Sequence, residues 1–135
     1  MKSKKQRIIP FLTFHGNAEE ALNYYSVNLP DAKIETLKRF EKGQRGDEGK
    51  VSAGILSLFG QSIQLMDMEA VYECPPFTWS TSLLVNCKDA AEFDALLDCL
   101  AQGGTVMMKE DNFMNFRKVA WVTDKFGVTW QPVLE

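Results

Sequence analysis

One short phrase occurs twice in this chain. Phe59-Gly60-Gln61-Ser62-Ile63-Gln64 and Phe126-Gly127-Val128-Thr129-Trp130-Gln131 share the pattern Phe-Gly-x-[Ser/Thr]-apolar-Gln, and the two glutamines stand 67 residues apart in a chain of 135. Each copy reads as a tight turn whose glycine takes a positive φ, followed by a strand of alternating apolar and polar residues. A repeat at half the chain length makes the fold two copies of one supersecondary unit. That sets pseudo-symmetry and the place of a binding surface, but names no ligand.

Taken in order, each half spells the same elements. Ile8 to Phe14 is β-branched and aromatic, with Pro10 marking an edge position, and His15-Gly16 breaks the run. Asn17 with Glu20 three residues on resembles a capping box. Ala18, Ala21, Leu22 and Tyr25 then recur at helical spacing until Leu29-Pro30. Lys33–Glu41 and Lys50–Phe59 are strand-like runs around a glycine-rich charged loop, and Gln61–Asp67 is the strand carrying the first repeat copy. Met68 to Pro76 is the linker. In the second half Phe77–Asn86 reads as a strand, and Asp89 is an N-cap with Glu92 three on. Phe93, Leu96, Leu97 and Leu100 form the helical stripe, and Gly103-Gly104 ends it. Thr105–Glu110 and Arg117–Thr123 are strands around a loop at Asp111–Phe116, and Val128–Val133 is the last strand.

Phe14 to Glu20 falls on Asn86 to Glu92 at an offset of 72, which sets His15 opposite Cys87. The offset shrinks to 67 at the last strand, so the second half has loops five residues shorter. The expected architecture is α+β: one domain over 1–135 made of two tandem βαβββ modules, 7–68 and 77–135, whose mixed and antiparallel sheets form a cleft.

Composition narrows the function classes. With 45% hydrophobic and 24% charged residues the chain can build an ordinary core, and its net charge of −3 leaves no electrostatic footprint for nucleic acid. Cys74, Cys87 and Cys99 form no CxxC and no metal spacing, and read as reduced thiols. The basic start Met1 to Arg7 is followed by too short an apolar run for a signal peptide, and no stretch approaches a membrane span. A cytoplasmic protein without nucleic-acid or membrane partners is the expectation.

Ile9 to Tyr25 (IPFLTFHGNAEEALNYY) and Val122 to Trp130 (VTDKFGVTW) resemble the two ends of the PhnB-like group within the vicinal oxygen chelate superfamily. That superfamily includes glyoxalases, extradiol dioxygenases and bleomycin-resistance proteins. The resemblance runs across nearly the whole chain and implies paired βαβββ modules. It further implies a homodimer, because a sheet covered by one helix leaves its other face for a second sheet. Members of the group often carry the label of a demethylubiquinone methyltransferase. The glycine-rich strand-to-helix turn that cradles a nucleotide-type cofactor is missing from this sequence.

In metal-bearing relatives the ligands come from the first and last strands of the modules. Carried over position by position, they fall here on Ile8, Gln64, Ser80 and Gln131. That quartet has no imidazole, thiolate or carboxylate, so it is a poor site for a divalent transition metal. The expectation is no metal and no cofactor. His15 sits at a corner rather than at a ligand position. What the set can do is hydrogen-bond: Gln64, Gln131 and Ser80 supply amides and a hydroxyl, with Met66 beside them and Trp79 and Trp121 able to stack a planar molecule. The leading function is an unidentified small molecule bound in the cleft without a transition metal, with catalysis left open. Alternatives are a metal-dependent lyase, isomerase or dioxygenase of the superfamily, and a resistance-type dimer that sequesters its ligand.

Overall fold

The computed structural model describes residues 6–135. The chain divides into two compact units, Met1–Cys74 and Pro75–Glu135. In the first, β1 (Phe11–Phe14), α1 (Ala18–Asn28), β2 (Ala32–Arg39), β3 (Val51–Leu58) and β4 (Gln61–Asp67) form a sheet of order β1-β4-β3-β2 packed against α1. β1 runs parallel to β4; the other pairs are antiparallel. The predicted stripe Ala18, Ala21, Leu22 and Tyr25 is fully buried, as are Leu56 and Leu65. β4 alternates strictly: Ile63, Leu65 and Asp67 are buried towards the helix, while Ser62, Gln64 and Met66 stand half-buried on the opposite face.

The second unit repeats the plan with β5 (Leu83–Asn86), α2 (Ala90–Ala101), β6 (Thr105–Phe113), β7 (Phe116–Thr123) and β8 (Thr129–Leu134), in sheet order β5-β8-β7-β6. Phe93, Leu96, Leu97 and Leu100 are buried as the spacing requires. The repeat glycines Gly60 and Gly127 have φ of 76° and 91°, the left-handed turn read from the twin phrase.

Four expectations need correction. The strand expected over Phe77–Asn86 is confined to Leu83–Asn86, and the first begins at Phe11 rather than Ile8. Pro10 lies directly before the first, where a missing N–H limits the ladder, and before the second the chain turns at Thr78–Thr81, closed by Thr81 N–H to Thr78 O. The loop expected at Asp111–Phe116 is instead the end of a hairpin. Asp111 pairs with Lys118 and Phe113 with Phe116, leaving only Met114 and Asn115 as the turn, with Met114 at φ 55°.

The third correction concerns the helix cap. Asn17 occupies the N-cap position of α1 but makes no side-chain cap bond. The cap comes from Asp67 at the far end of β4, whose Oδ1 accepts the Gly16 and Ala18 N–H groups at 2.9 Å each and whose Oδ2 accepts Val51 N–H at 2.9 Å. In the second unit the expected cap forms: Asp89 Oδ1 accepts Glu92 N–H at 2.8 Å, and Glu92 Oε1 reaches back to Lys88 N–H at 3.1 Å.

The fourth is a register slip of one residue. Phe11 pairs with Gln64 but Leu84 with Gln131, so the first strands correspond at an offset of 73 while the helix caps Asn17 and Asp89 keep 72. Phe14, not His15, is therefore the counterpart of Cys87, and both are buried. The extra residue of the first corner is Gly16, at φ 102°, with its N–H turned onto Asp67.

Candidate functional site

The strand parity that buries Ile63 and Leu65 under α1 puts Gln64 and Met66 on the other face of the first sheet. Register adds Phe11 beside Gln64 on one neighbouring strand and Ile55 on the other, with Thr13 beside Met66. Phe11 is 54% exposed. Neither residue directly opposite Gln64, Phe11 or Ile55, is ionisable, and among the described residues its amide makes no side-chain hydrogen bond.

In the second unit Lys118 lies over the Phe93 ring of α2, so Lys118, Ala120 and Val122 face the helix and Trp121 faces away. The β7–β8 pairing sets Trp130 opposite Val122 and Val133 opposite Val119, which brings Trp121 opposite Gln131. Adding the neighbours on β5 and β6 gives a row across the sheet: Leu84, Gln131, Trp121, Met108. Directly opposed side chains on adjacent strands stand about 5 Å apart at Cβ, close enough to grip one small molecule together.

Two contacts organise that row. Gln131 Nε2 donates to Ser82 Oγ at 2.7 Å, which fixes the amide plane and leaves Gln131 Oε1 as the acceptor. The Trp79 ring meets Trp121 edge-on, centroids 6.0 Å apart at 88°. Trp79 is held in a turn closed by Thr81 N–H to Thr78 O at 3.4 Å, yet is 63% exposed. Trp121 Nε1 is shielded from solvent and has no hydrogen-bond partner among the described residues. A buried donor without an acceptor is uncommon enough to require an explanation.

The six predicted residues thus divide by unit. Gln64 and Met66 share one sheet face; Gln131, Trp121 and Trp79 gather on the other. Ser80 does not join them: it is exposed, with its hydroxyl 2.6 Å from Thr78 Oγ1. The hydroxyl on Gln131 belongs to Ser82, and under the corrected offset the counterpart of Ile8 is Thr81. The register slip at the corner accounts for one residue of the miss, and the step from Thr81 to Ser82 is set by the hydrogen bond alone. Leu84 and Met108 were also missed, since only the observed pairing shows them in the row.

Ile8, Thr81, Ser82, Gln64 and Gln131 include none of the donors a transition metal prefers. Among the described residues no three of His, Cys, Asp or Glu come together as a metal site. The superfamily's metal therefore does not fit the residues present. A shallow pocket of about 240 Å³, lined by Leu29, Asp31, Ala32, Lys33 and Ser57, contains none of the predicted residues. It is smaller than the 300 Å³ or so at which small-molecule sites usually begin.

Comparison with known proteins agrees with this architecture. The family model described as 3-demethylubiquinone-9 3-methyltransferase matches residues 6–133. A structure described as a putative 3-demethylubiquinone-9 3-methyltransferase, PhnB protein, from Bacillus cereus is 35% identical, with 96% of this chain and 100% of that one covered and a TM-score of 0.83. A protein from Pseudomonas aeruginosa is 26% identical over 97% of this chain and 98% of its own, with a TM-score of 0.86. A glyoxylase/bleomycin resistance protein/dioxygenase domain from Frankia, 18% identical over 98% of both chains with a TM-score of 0.68, shares the fold. No functionally curated protein matches the chain. Two βαβββ modules with the glyoxalase/bleomycin-resistance fold, a matching family model over almost the full length and a PhnB relative at this identity make the chain a member of the PhnB-like family.

Proposed function

We propose that this protein binds a small organic molecule on the sheet faces that carry Gln64 and Gln131, and holds it by amide hydrogen bonds and aromatic contact rather than through a transition metal. The observation that carries the reading is Gln131: a glutamine repeated in both halves, turned away from the helix-packed core, and oriented by Ser82 at 2.7 Å. A glutamine retained only for solubility would not be held at one end with its acceptor left open. Gln64, Met66, Trp79 and Trp121 belong to the same proposal, and Ser82 takes the role first expected of Ser80. The donor set supports the metal-free part, because neutral amide and hydroxyl oxygens cannot offset the cost of desolvating a dication.

Two measurements test this. Elemental analysis of untagged protein should find no stoichiometric zinc, nickel or iron. In a screen of small aromatic compounds followed by heteronuclear NMR, the side-chain amide signals of Gln64 and of Gln131 should each move with ligand. Gln131→Ala and Ser82→Ala should weaken binding while Ser80→Ala leaves it unchanged. One equivalent of tightly held metal, or binding indifferent to Gln64→Ala and Gln131→Ala, would overturn the proposal.

We also propose that the protein acts as a homodimer. Phe11 and Leu84, equivalent residues of the two first strands, are 54% and 51% exposed on the faces away from the helices, as surfaces awaiting a partner would be. Sedimentation at micromolar concentration showing only a 15.3 kDa species would refute the dimer.

A further inference from the structure

The ligand's chemical class can be narrowed from the second unit alone. Its row Leu84, Gln131, Trp121, Met108 contains no ionisable side chain. Among the described residues the hydrogen-bonding functions left open include a donor, Trp121 Nε1–H, shielded and without a partner, and an acceptor, Gln131 Oε1, on the neighbouring strand; the second Gln131 Nε2–H and the Ser82 hydroxyl hydrogen are further donors beside them. Trp79, exposed and edge-on to Trp121, supplies an aromatic surface beside it. Adjacent acceptor and donor groups on a planar edge would satisfy both functions at once. An anion buried against this row would meet no countercharge within it, and Glu110, next along β6 on the same face, would repel it.

We propose that this face recognises a neutral, planar molecule with a carbonyl beside an N–H or O–H group, a lactam-type edge. The carbonyl accepts from Trp121 Nε1, the ligand's donor points to Gln131 Oε1, and the ring plane lies against Trp79. The inference rests on the reading of the glutamine-bearing faces as the binding surface, and adds what kind of molecule they take. The expected discrimination follows from the orphan donor. Leaving a buried N–H unmet costs enough that a ligand supplying its acceptor should bind roughly tenfold to a hundredfold tighter than one of the same shape that does not.

The test compares carbostyril, a bicyclic lactam, with naphthalene, which has the same outline and no polar edge, and with naphthoate, which is anionic. The three indole N–H signals are assigned by Trp→Phe variants. Trp130, whose Nε1 already donates to Asp124 Oδ2 at 2.9 Å, serves as the internal control. Carbostyril should shift the Trp121 indole signal and leave that of Trp130 in place, and should bind roughly tenfold or more tightly than naphthalene. Trp121→Phe, which keeps a ring and deletes the N–H, should reduce that preference severalfold and leave only what the Gln131 contact supplies. If this variant does not fold, the wild-type indole shift and the ranking of the three compounds decide the matter. A Trp121 signal unmoved at millimolar carbostyril, equal affinity for naphthalene, or preference for naphthoate overturns the inference. A compound that moves the Gln64 and Gln131 amides but not the Trp121 indole overturns this inference while leaving the broader binding proposal standing.

Discussion

Asp67 offers the sharpest test of how the first unit holds together. Its carboxylate is 2% exposed and accepts three backbone N–H groups, from Gly16, Ala18 and Val51. These donors belong to three elements: the corner after β1, the first residue of α1 and the first residue of β3. Asp67→Ala leaves all three unmet. At about 1–3 kcal/mol for each buried orphan, reduced because Gly16 is only half-buried and water can reach it, the loss is about 3–5 kcal/mol. Whole-domain stability is about 5–15 kcal/mol, so the variant should be marginal. Asp67→Asn is the more informative change. Its Oδ1 can keep Gly16 and Ala18, but its amide nitrogen then faces the Val51 N–H, donor against donor, for a loss of about 1–3 kcal/mol.

Urea denaturation followed by circular dichroism measures both variants. With a slope near 2 kcal/mol per molar for a protein of this size, Asp67→Ala should lower the midpoint by about 2 M and Asp67→Asn by about half that. Hydrogen exchange adds position: the Ala18 and Val51 amides should lose protection first. If Asp67→Ala falls within about 0.5 kcal/mol of the parent, as an ordinary surface substitution does, the carboxylate is not the clamp its geometry indicates.

Three further outcomes follow from other contacts. Asp124 is buried in the second unit's turn, accepting Phe126 and Val128 N–H on Oδ1 and Trp130 Nε1 on Oδ2 at 2.9 Å. Trp130→Phe should cost about 1–3 kcal/mol and Asp124→Ala more, as read by thermal unfolding, because the first leaves a single carboxylate bond unmade while the second strands three donors. Burial, with Glu92 adding to it, pushes the Cys87 thiol up to about 11, so at mildly alkaline pH it should resist alkylation until the protein unfolds. Because the unfolded thiol ionises near 9 and the folded one near 11, the unfolded state sheds its proton first, so this group's contribution to stability falls across that interval, which Cys87→Ala should flatten. Gly16→Ala should lose about 1–2 kcal/mol, since φ of 102° is a conformation an L side chain rarely adopts.

What the sequence made legible was periodicity. Both helical stripes and the alternation of Gln61 to Asp67 survive into the structure because each is decided by burial on one face. Strand starts were less legible, since Ile8 and Phe77 have strand-like side chains while pairing begins only at Phe11, after Pro10, and at Leu83, after the turn at Thr78–Thr81. The corner slip was hidden for a different reason. Apolar residues match acceptably at an offset of 72 or 73, so only strand pairing reveals that Gly16 has no counterpart. That single residue moves the carried-over position from Ser80 to Thr81, and the serine that bonds Gln131, Ser82, is one residue further on and shows only in the hydrogen bond. Asp67 did leave a trace: it continues the buried parity of Ile63 and Leu65, and a carboxylate at an apolar position signals a partner that has to be sought. Trp121 left none, because an indole looks the same in sequence whether or not its N–H is satisfied.

The two capped helices also bear on the chemistry that the family's description brings with it. In nucleotide-binding folds a glycine-rich turn opens a helix N-terminus, whose free N–H groups and dipole receive an anionic part of the cofactor. Here both helix N-termini are taken by the protein's own carboxylates. Asp67 fills that of α1, and Asp89 with Glu92 fills that of α2. An anion approaching either end would meet a like charge, and the Ala18 N–H of α1 and the Glu92 N–H of α2 are already engaged. The one residue that opens the first corner, Gly16, turns its N–H inward to Asp67 rather than out to a ligand. With the helix ends closed in both repeats, the polar groups still free to recognise a molecule lie on the opposite sides of the sheets. There the repeated glutamines and the unpaired indole of Trp121 stand, and a functional account of this chain has to begin from those faces.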